Sequence, residues 1–256
     1  MDGQQLDCLT QWFTAHVRTF DGGDADMRLH IGLKEAHTKR VVETITDLVV
    51  ELEWEPSRQR IAAAAALLHD VGRFSQYSIY RTFNDARSIN HALLGTRILR
   101  EEGVWESAGL SEPFVPKMER VILYHNVREV PKKEEADVLA MAHLLRDADK
   151  LDIYQLIASE TMPPSKELKN VKISSNAIVQ AVLAGRMAHR RDMLTSLDQL
   201  LFRLSWVYNI QYAATFRRLV NSGLWQKISE LVPNQPAARK ALAHLHQYVV
   251  RRAKEK

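Results

Sequence analysis

Ile61-Ala62-Ala63-Ala64-Ala65-Ala66-Leu67-Leu68-His69-Asp70-Val71-Gly72-Arg73 runs from an alanine block straight into an adjacent histidine and aspartate. Alanine and leucine are strong helix formers, and a surface of alanines lets neighbouring helices approach closely, so the stretch predicts a central helix. Pro56 opens it, at a position where a missing N–H costs nothing, and Gly72 is placed to end it. At its end stand an imidazole and a carboxylate. Both are costly to bury unless something pairs with them, and a divalent metal ion would pair with both.

Outward from this stretch, apolar residues recur at helical spacing. Leu6, Leu9, Phe13 and Val17 mark a first helix that ends before Asp21-Gly22-Gly23. Val41, Ile45, Leu48, Val49 and Leu52 mark a second, which begins upstream of His37 and stops near Trp54. The segment from Phe74 to Arg87 shows no clear period and is expected to be an irregular loop. Ser88 is a candidate N-cap for a helix carrying His91, Leu94, Ile98 and Leu99, closed by Gly103. Val115, Met118, Val121 and Ile122 lead another helix into His125, and a further one carries Val138 through Asp152 to about Ser159. Thr161 to Asn170, with Pro163-Pro164, is the best linker candidate. Beyond it helices are expected near 176–184, 190–208, 211–221 and 236–253.

Composition agrees with an all-α fold. Of 256 residues 46% are hydrophobic and 26% charged, with only 10 Gly and 8 Pro, and alternating β-branched runs bounded by turns are absent. Lys plus Arg (35) exceeds Asp plus Glu (31) by 4, and part of the excess lies in the tail Arg251-Arg252-Ala253-Lys254-Glu255-Lys256, so the pI of 9.1 makes no strong case for nucleic acid. The single Cys8 excludes an intrachain disulfide and agrees with a reducing compartment. The polar start Met1-Asp2-Gly3-Gln4-Gln5 and the lack of any run near about 18 apolar residues lead us to expect a soluble, cytoplasmic protein that does not enter membranes.

Among 10 histidines, four fall into an ordered set with two aspartates: His37, His69-Asp70, His91, His125 and Asp149. Each lies at the end of a different expected helix or within its apolar face, which is how helical bundles build metal sites. His143, His189, His244 and His246 have no matching neighbours and are read as structural or exposed. The ordered set resembles the HD superfamily of metal-dependent phosphohydrolases, whose pattern is a His, an adjacent His-Asp and a distant Asp, often with two histidines between. The residues that carry the resemblance are Glu35-Ala36-His37-Thr38, His69-Asp70-Val71-Gly72-Arg73, Asn90-His91-Ala92-Leu93-Leu94-Gly95, Leu123-Tyr124-His125-Asn126 and Arg146-Asp147-Ala148-Asp149-Lys150-Leu151-Asp152. It covers about residues 30 to 160.

The resemblance implies an HD-domain-like helical bundle over residues 1–160, with C-terminal helices over 161–256 packed on it as one compact unit, a lid or a dimer surface. It implies that His37, His69, Asp70 and Asp149 hold one ion, with Asp147 the competitor of Asp149. In two-metal members the aspartate bridges to a second ion, here held by His91 and His125. Such relatives often carry His-His where this chain has Tyr124-His125-Asn126, so one tight ion is expected. The mixed nitrogen and oxygen set suits Mn, Fe, Co, Ni or Zn. Such an ion lowers the pKa of its water towards ~7 and polarises a phosphoryl oxygen. Asp70 is then central to catalysis, and Arg73 and Lys150, with Arg128 weaker, supply positive charge to the phosphoryl oxygens. Asp152 or Asp147 would orient a ligand histidine or take a proton. The implied reaction is hydrolysis of a phosphate ester or anhydride of a nucleotide or similar small molecule. Two rival functions are a ligand-binding regulator without turnover and a nucleic-acid hydrolase.

Overall fold

The computed structural model describes residues 1–161 and 174–255. Among these the chain is helical, with no strand, as composition and periodicity require. Residues 1–148 form one compact unit and residues 149–256 a second. The linker expected at 161–170 falls, apart from Thr161, outside the described residues.

In the first unit α1 (Gly3–Arg18) starts on a capping box in which the Asp2 carboxylate accepts from the Gln5 backbone N–H and Gln5 returns a bond to Asp2. Helix α2 (Ala25–Glu51) is capped by Asp24, and α3 (Pro56–Leu68) has proline in its first turn. Ala62, Ala64, Ala65 and Ala66 are wholly buried, and α3 packs against α1, α2 and α7 (Phe114–His125). The slim alanine face permits this three-sided packing, and α3 is the central helix that the sequence predicts.

Two expectations are corrected beyond α3. Gly72 does not end that helix but begins another, α4 (Gly72–Tyr80), where an irregular loop was expected. Helix α4 buries Phe74, Gln76 and Tyr77; the polar Gln76 among them hides the helical period. Gly72 is required by a close approach: a Cβ there would lie 2.1 Å from the His91 carbonyl oxygen and 2.6 Å from the Gly95 nitrogen, so α4 meets α5 (His91–Glu101) backbone to backbone. The N-cap of α5 is Asn90 rather than Ser88: Asn90 Oδ1 accepts from the N–H groups of Ala92 (3.0 Å) and Leu93 (3.1 Å). Gly103 follows α5 in the left-handed region (φ 61°), as expected, and a short α6 (Val104–Ser107) intervenes before α7.

His16 on α1 is buried beside Trp12 (ring centroids 4.8 Å), Phe20 (5.4 Å) and Phe74 (6.3 Å). Its Nδ1 is 3.5 Å from Glu102 Oε1, and its Nε2 is buried without a hydrogen-bond partner. Burial lowers its pKa below the usual 6.5, against the opposing pull of Glu102. The unfolded chain therefore takes up a proton at a pH where the folded one does not, so this stability is present above about pH 6.5 and lost as pH falls towards the folded pKa. We expect the thermal midpoint to fall on acidification from pH 7.5 to 5 and the decline to be shallower in His16→Leu. Parallel pH profiles of the two proteins would exclude this source.

Helix α8 (Ala136–Ala158) spans the boundary between the units. In the second unit α9 (Asn176–Leu183), α10 (Ser196–Leu204), α11 (Ala213–Asn221), α12 (Leu224–Glu230) and α13 (Pro236–Ala253) follow, with α13 packed on α9, α10 and α11. The single helix expected over 190–208 is broken into 3₁₀ turns at Arg190–Asp192 and Ser205–Asn209 around α10. The break comes from Thr195 and Asp198, whose capping box restarts the helix. Helix α12, absent from the sequence reading, opens after Gly223 in the left-handed region (φ 71°). His244 and His246 are structural: His244 Nδ1 donates to the Tyr208 hydroxyl oxygen (2.9 Å), whose own proton goes to the Val182 carbonyl (2.8 Å), and His246 Nδ1 accepts from the Trp225 indole N–H (3.1 Å). None of the described helices is long and apolar enough to cross a membrane.

Candidate metal centre

Four helices of the first unit bring five of the expected residues together. His37 lies within α2, His69 and Asp70 follow α3, His91 is the first residue of α5 and His125 the last of α7. All five side chains are buried, that of His125 only 4% exposed. Their ligand atoms form two groups, His37-His69-Asp70 and Asp70-His91-His125, each with its atoms within 4.8 Å of one another. Asp70 divides itself between them. Its Oδ2 faces His37 Nε2 (3.5 Å) and His69 Nε2 (3.6 Å), and its Oδ1 faces His91 Nε2 (3.2 Å) and His125 Nε2 (3.6 Å).

The far nitrogens of three imidazoles are held in one protonation state. His69 Nδ1 faces the Ala66 carbonyl oxygen (2.6 Å) and His125 Nδ1 that of Ile122 (2.5 Å). A carbonyl oxygen only accepts, so each Nδ1 carries the proton, and in the neutral ring Nε2 presents its lone pair. His91 Nδ1 likewise donates to Asp85 Oδ2 (2.7 Å). His91 Nε2 and His125 Nε2 then stand 2.9 Å apart, where two lone pairs repel unless a proton or a cation lies against them. Metal donors sit about 2.0–2.2 Å from the ion, so donor atoms at these separations fit a divalent cation. This cluster could hold a metal ion.

Asp70 stays ionised. Burial alone would raise its pKa, but the Lys34 ammonium, with the positive charge and Nε2–H groups that His69, His91 and His125 offer when protonated in the absence of a cation, outweighs burial and holds it well below the usual carboxylate range. Asp85 is held below its ordinary range in the same way: burial opposes, and His91, Arg73 and Gln76 prevail.

Two residues of this neighbourhood, Lys34 and Asp85, lie outside the motifs, and a third, Asn126, follows His125 with no role assigned to it by the sequence. Lys34 Nζ donates to Asp70 Oδ2 (2.7 Å); its one sequence signal is that it stands three before His37 on the same helix. Asp85 accepts from Arg73 (2.8 Å), Gln76 (2.9 Å), His91 and the Asn126 amide (2.8 Å), and so ties α4, α5 and the end of α7. Only its carboxyl type, in a stretch without period, could have signalled it. Asn126 serves Asp85.

Arg73, expected beside the ligands, is there: its Nε is 3.5 Å from Asp70 Oδ1. Its Nη1 also donates to Gln76 Oε1 (2.8 Å) and the Phe83 carbonyl (2.6 Å), so the guanidinium is fixed rather than mobile. Phe83 and Tyr77 pack on one another (4.8 Å) and Tyr77 stacks on His30 (4.3 Å). Burial and Asp26, to which the Tyr77 hydroxyl donates (2.7 Å), push its pKa up to about 12. These rings pin the loop after α4. Arg146 on α8 donates to the carbonyls of Tyr124 (2.7 Å), His125 (3.1 Å) and Val127, closing the C-terminal end of α7 that presents His125.

Asp149 and Lys150 stand at the first two positions of the second unit. Neither belongs to the two ligand groups found among the described residues. Asp149 is half-buried, whereas Asp147, Lys150 and Asp152 are buried.

Residues 35–154 match the family model described as HD domain, and every residue of the two ligand groups falls within that match. Among curated proteins and among solved structures, none matches the chain.

Proposed function

We propose that this chain, whose residues 35–154 are an HD domain, is a metal-dependent phosphohydrolase that cleaves a phosphate ester or anhydride of a nucleotide or similar small molecule. The observation that carries the reading is the sharing of Asp70 between two groups of buried imidazoles, with the outer nitrogens of His69, His91 and His125 tied to acceptors. A structural site needs neither the second group nor the cations Lys34 and Arg73 beside it.

A divalent ion of the Mn, Fe, Co, Ni or Zn type supplies an acidified water and polarises a phosphoryl oxygen. His37, His69 and Asp70 would hold the tight ion, and Asp70, His91 and His125 a second, weaker one. Arg73, held by Asp85, Gln76 and a backbone carbonyl, keeps a fixed positive charge beside Asp70 for an anionic substrate. Lys150 adds charge in the same role, and Asp147 or Asp152 orients a neighbouring group. The single Cys8 suits a reducing compartment, and we place the activity in the cytoplasm.

Asp149 is the fourth ligand of the tight ion in this reading. Asp147 is rotated by about 200° from Asp149, so the two cannot play the same part. Asp149→Asn is expected to weaken metal binding by about tenfold or more and Asp147→Asn by less. The opposite order, measured by titration of the chelated protein with Mn²⁺, would assign the ligand to Asp147.

The reading is tested by the metal content of the purified protein together with hydrolysis of a nucleotide panel and an aryl phosphodiester, after chelation and re-addition of Mn²⁺, Co²⁺, Ni²⁺, Zn²⁺ or Mg²⁺. Metal-dependent turnover supports a phosphohydrolase. Metal without turnover favours a regulator, and no metal at all defeats the proposal.

A further inference from the structure

The Lys34 ammonium sits 2.7 Å from Asp70 Oδ2, the same oxygen that His37 and His69 face. One carboxylate oxygen is thus offered to two cations: the ammonium already there and the ion that the ligand group would hold. Both cannot take it at full strength, because two positive charges at bonding distance from one oxygen repel each other in a site where water does not screen them. Lys34 has somewhere else to go. Its side chain is 18% exposed against 4% for Asp70, and its Nζ lies 5.5 Å from the Phe83 ring centroid, whose face attracts a cation. Three residues before His37 on α2, it approaches the site from the same helix face.

We propose that Lys34 is the counter-cation of metal-free Asp70, that it surrenders Oδ2 when a divalent ion binds, and that its released ammonium then takes a phosphate oxygen of the substrate. The proposal rests on the phosphohydrolase reading and gives the site an order of assembly, metal first and phosphate second. Charge supports that order. Lys34 and Arg73 are engaged by Asp70 and Asp85 in the metal-free cluster, and a divalent ion adds positive charge there, which favours an anionic phosphate group.

The experiment uses full-length, chelated protein as wild type, Lys34→Met and Lys34→Gln. Both replacements keep most of the stem and remove the charge, and each is checked for a wild-type melting profile. Calorimetric titration with Mn²⁺ alone should show both variants binding the ion about tenfold more tightly than wild type, because a competitor worth about 1.4 kcal/mol has gone. Titration of the Mn²⁺-loaded proteins with inorganic phosphate should show both binding it about tenfold more weakly. If wild type binds Mn²⁺ and the variants bind it no more tightly, Lys34 does not compete for Asp70 and the proposal falls while the metal reading stands. Tighter Mn²⁺ with unchanged phosphate affinity overturns the hand-over to substrate. If wild type binds no Mn²⁺, the metal reading fails and this proposal fails with it.

Discussion

Asp70→Ala is expected to abolish stable metal binding and to reduce turnover to background, at least about a thousandfold. Both ligand groups use this one carboxylate, Oδ2 for the first and Oδ1 for the second, so its loss removes the only anion common to them. The donors left in the two groups are imidazoles beside the cations Lys34 and Arg73, and the one further carboxylate proposed, Asp149, is too little to hold a divalent cation against them. The same substitution leaves Lys34 without its carboxylate partner, and removing one member of a buried ion pair costs about 3–5 kcal/mol where the survivor cannot reach water. Lys34 is partly exposed, so the cost should lie below that range and the variant should fold. Asp70→Asn separates shape from charge: it preserves volume and should still lose the metal. Metal analysis of the purified variants beside their turnover checks this, and a metal-loaded or active Asp70→Ala protein would sink the mechanism.

Asp85→Ala should cost about 10–100-fold in metal affinity at the His91-His125 group or in turnover, the usual penalty for removing a carboxylate that orients a ligand histidine. Without Asp85, His91 Nδ1 loses its acceptor, and the proton can move to Nε2, the nitrogen that should face the ion. Arg73, Gln76 and Asn126 lose an acceptor at the same time. Asp85 binds Arg73, Gln76, His91 and Asn126, on the side of the second group, so the first ligand group should keep its ion. The check is metal stoichiometry across a Mn²⁺ titration, with the tight binding step retained and the weak one lost. Loss of both steps would show that Asp85 supports the whole cluster; loss of neither would show that the His91 group holds no ion.

Much of this site is legible in the chain as written because its donors are chemically conspicuous. His69-Asp70 after an alanine helix, and His91 and His125 at helix ends, stand out as polar groups at positions that helical periodicity marks for burial. Lys34, Asp85 and Asn126 are not conspicuous. Lysine near the start of a long helix, and an aspartate in a stretch without period, look like solvated surface, and only the approach of α2, α4, α5 and α7 turns them inward. Helix α4 was missed for a related reason: Gln76 occupies a fully buried position, bonded to Asp85, Ser88 and the Ile89 carbonyl, so a site-forming helix lacks the clean apolar stripe that reveals an ordinary one.

The sequence by itself determined the all-α class, most helix positions in the first 160 residues and the four histidines that converge on Asp70, because helix propensity, periodicity and the cost of burying unpaired polar groups act locally along the chain. Only the tertiary structure decided which oxygen of Asp70 serves which histidines, that Gly72 is a contact point between backbones rather than a helix stop, and that Lys34 and Asp85 belong to the site. Those facts depend on distances between helices far apart in sequence, set by side-chain packing and backbone approach, to which no local pattern is sensitive.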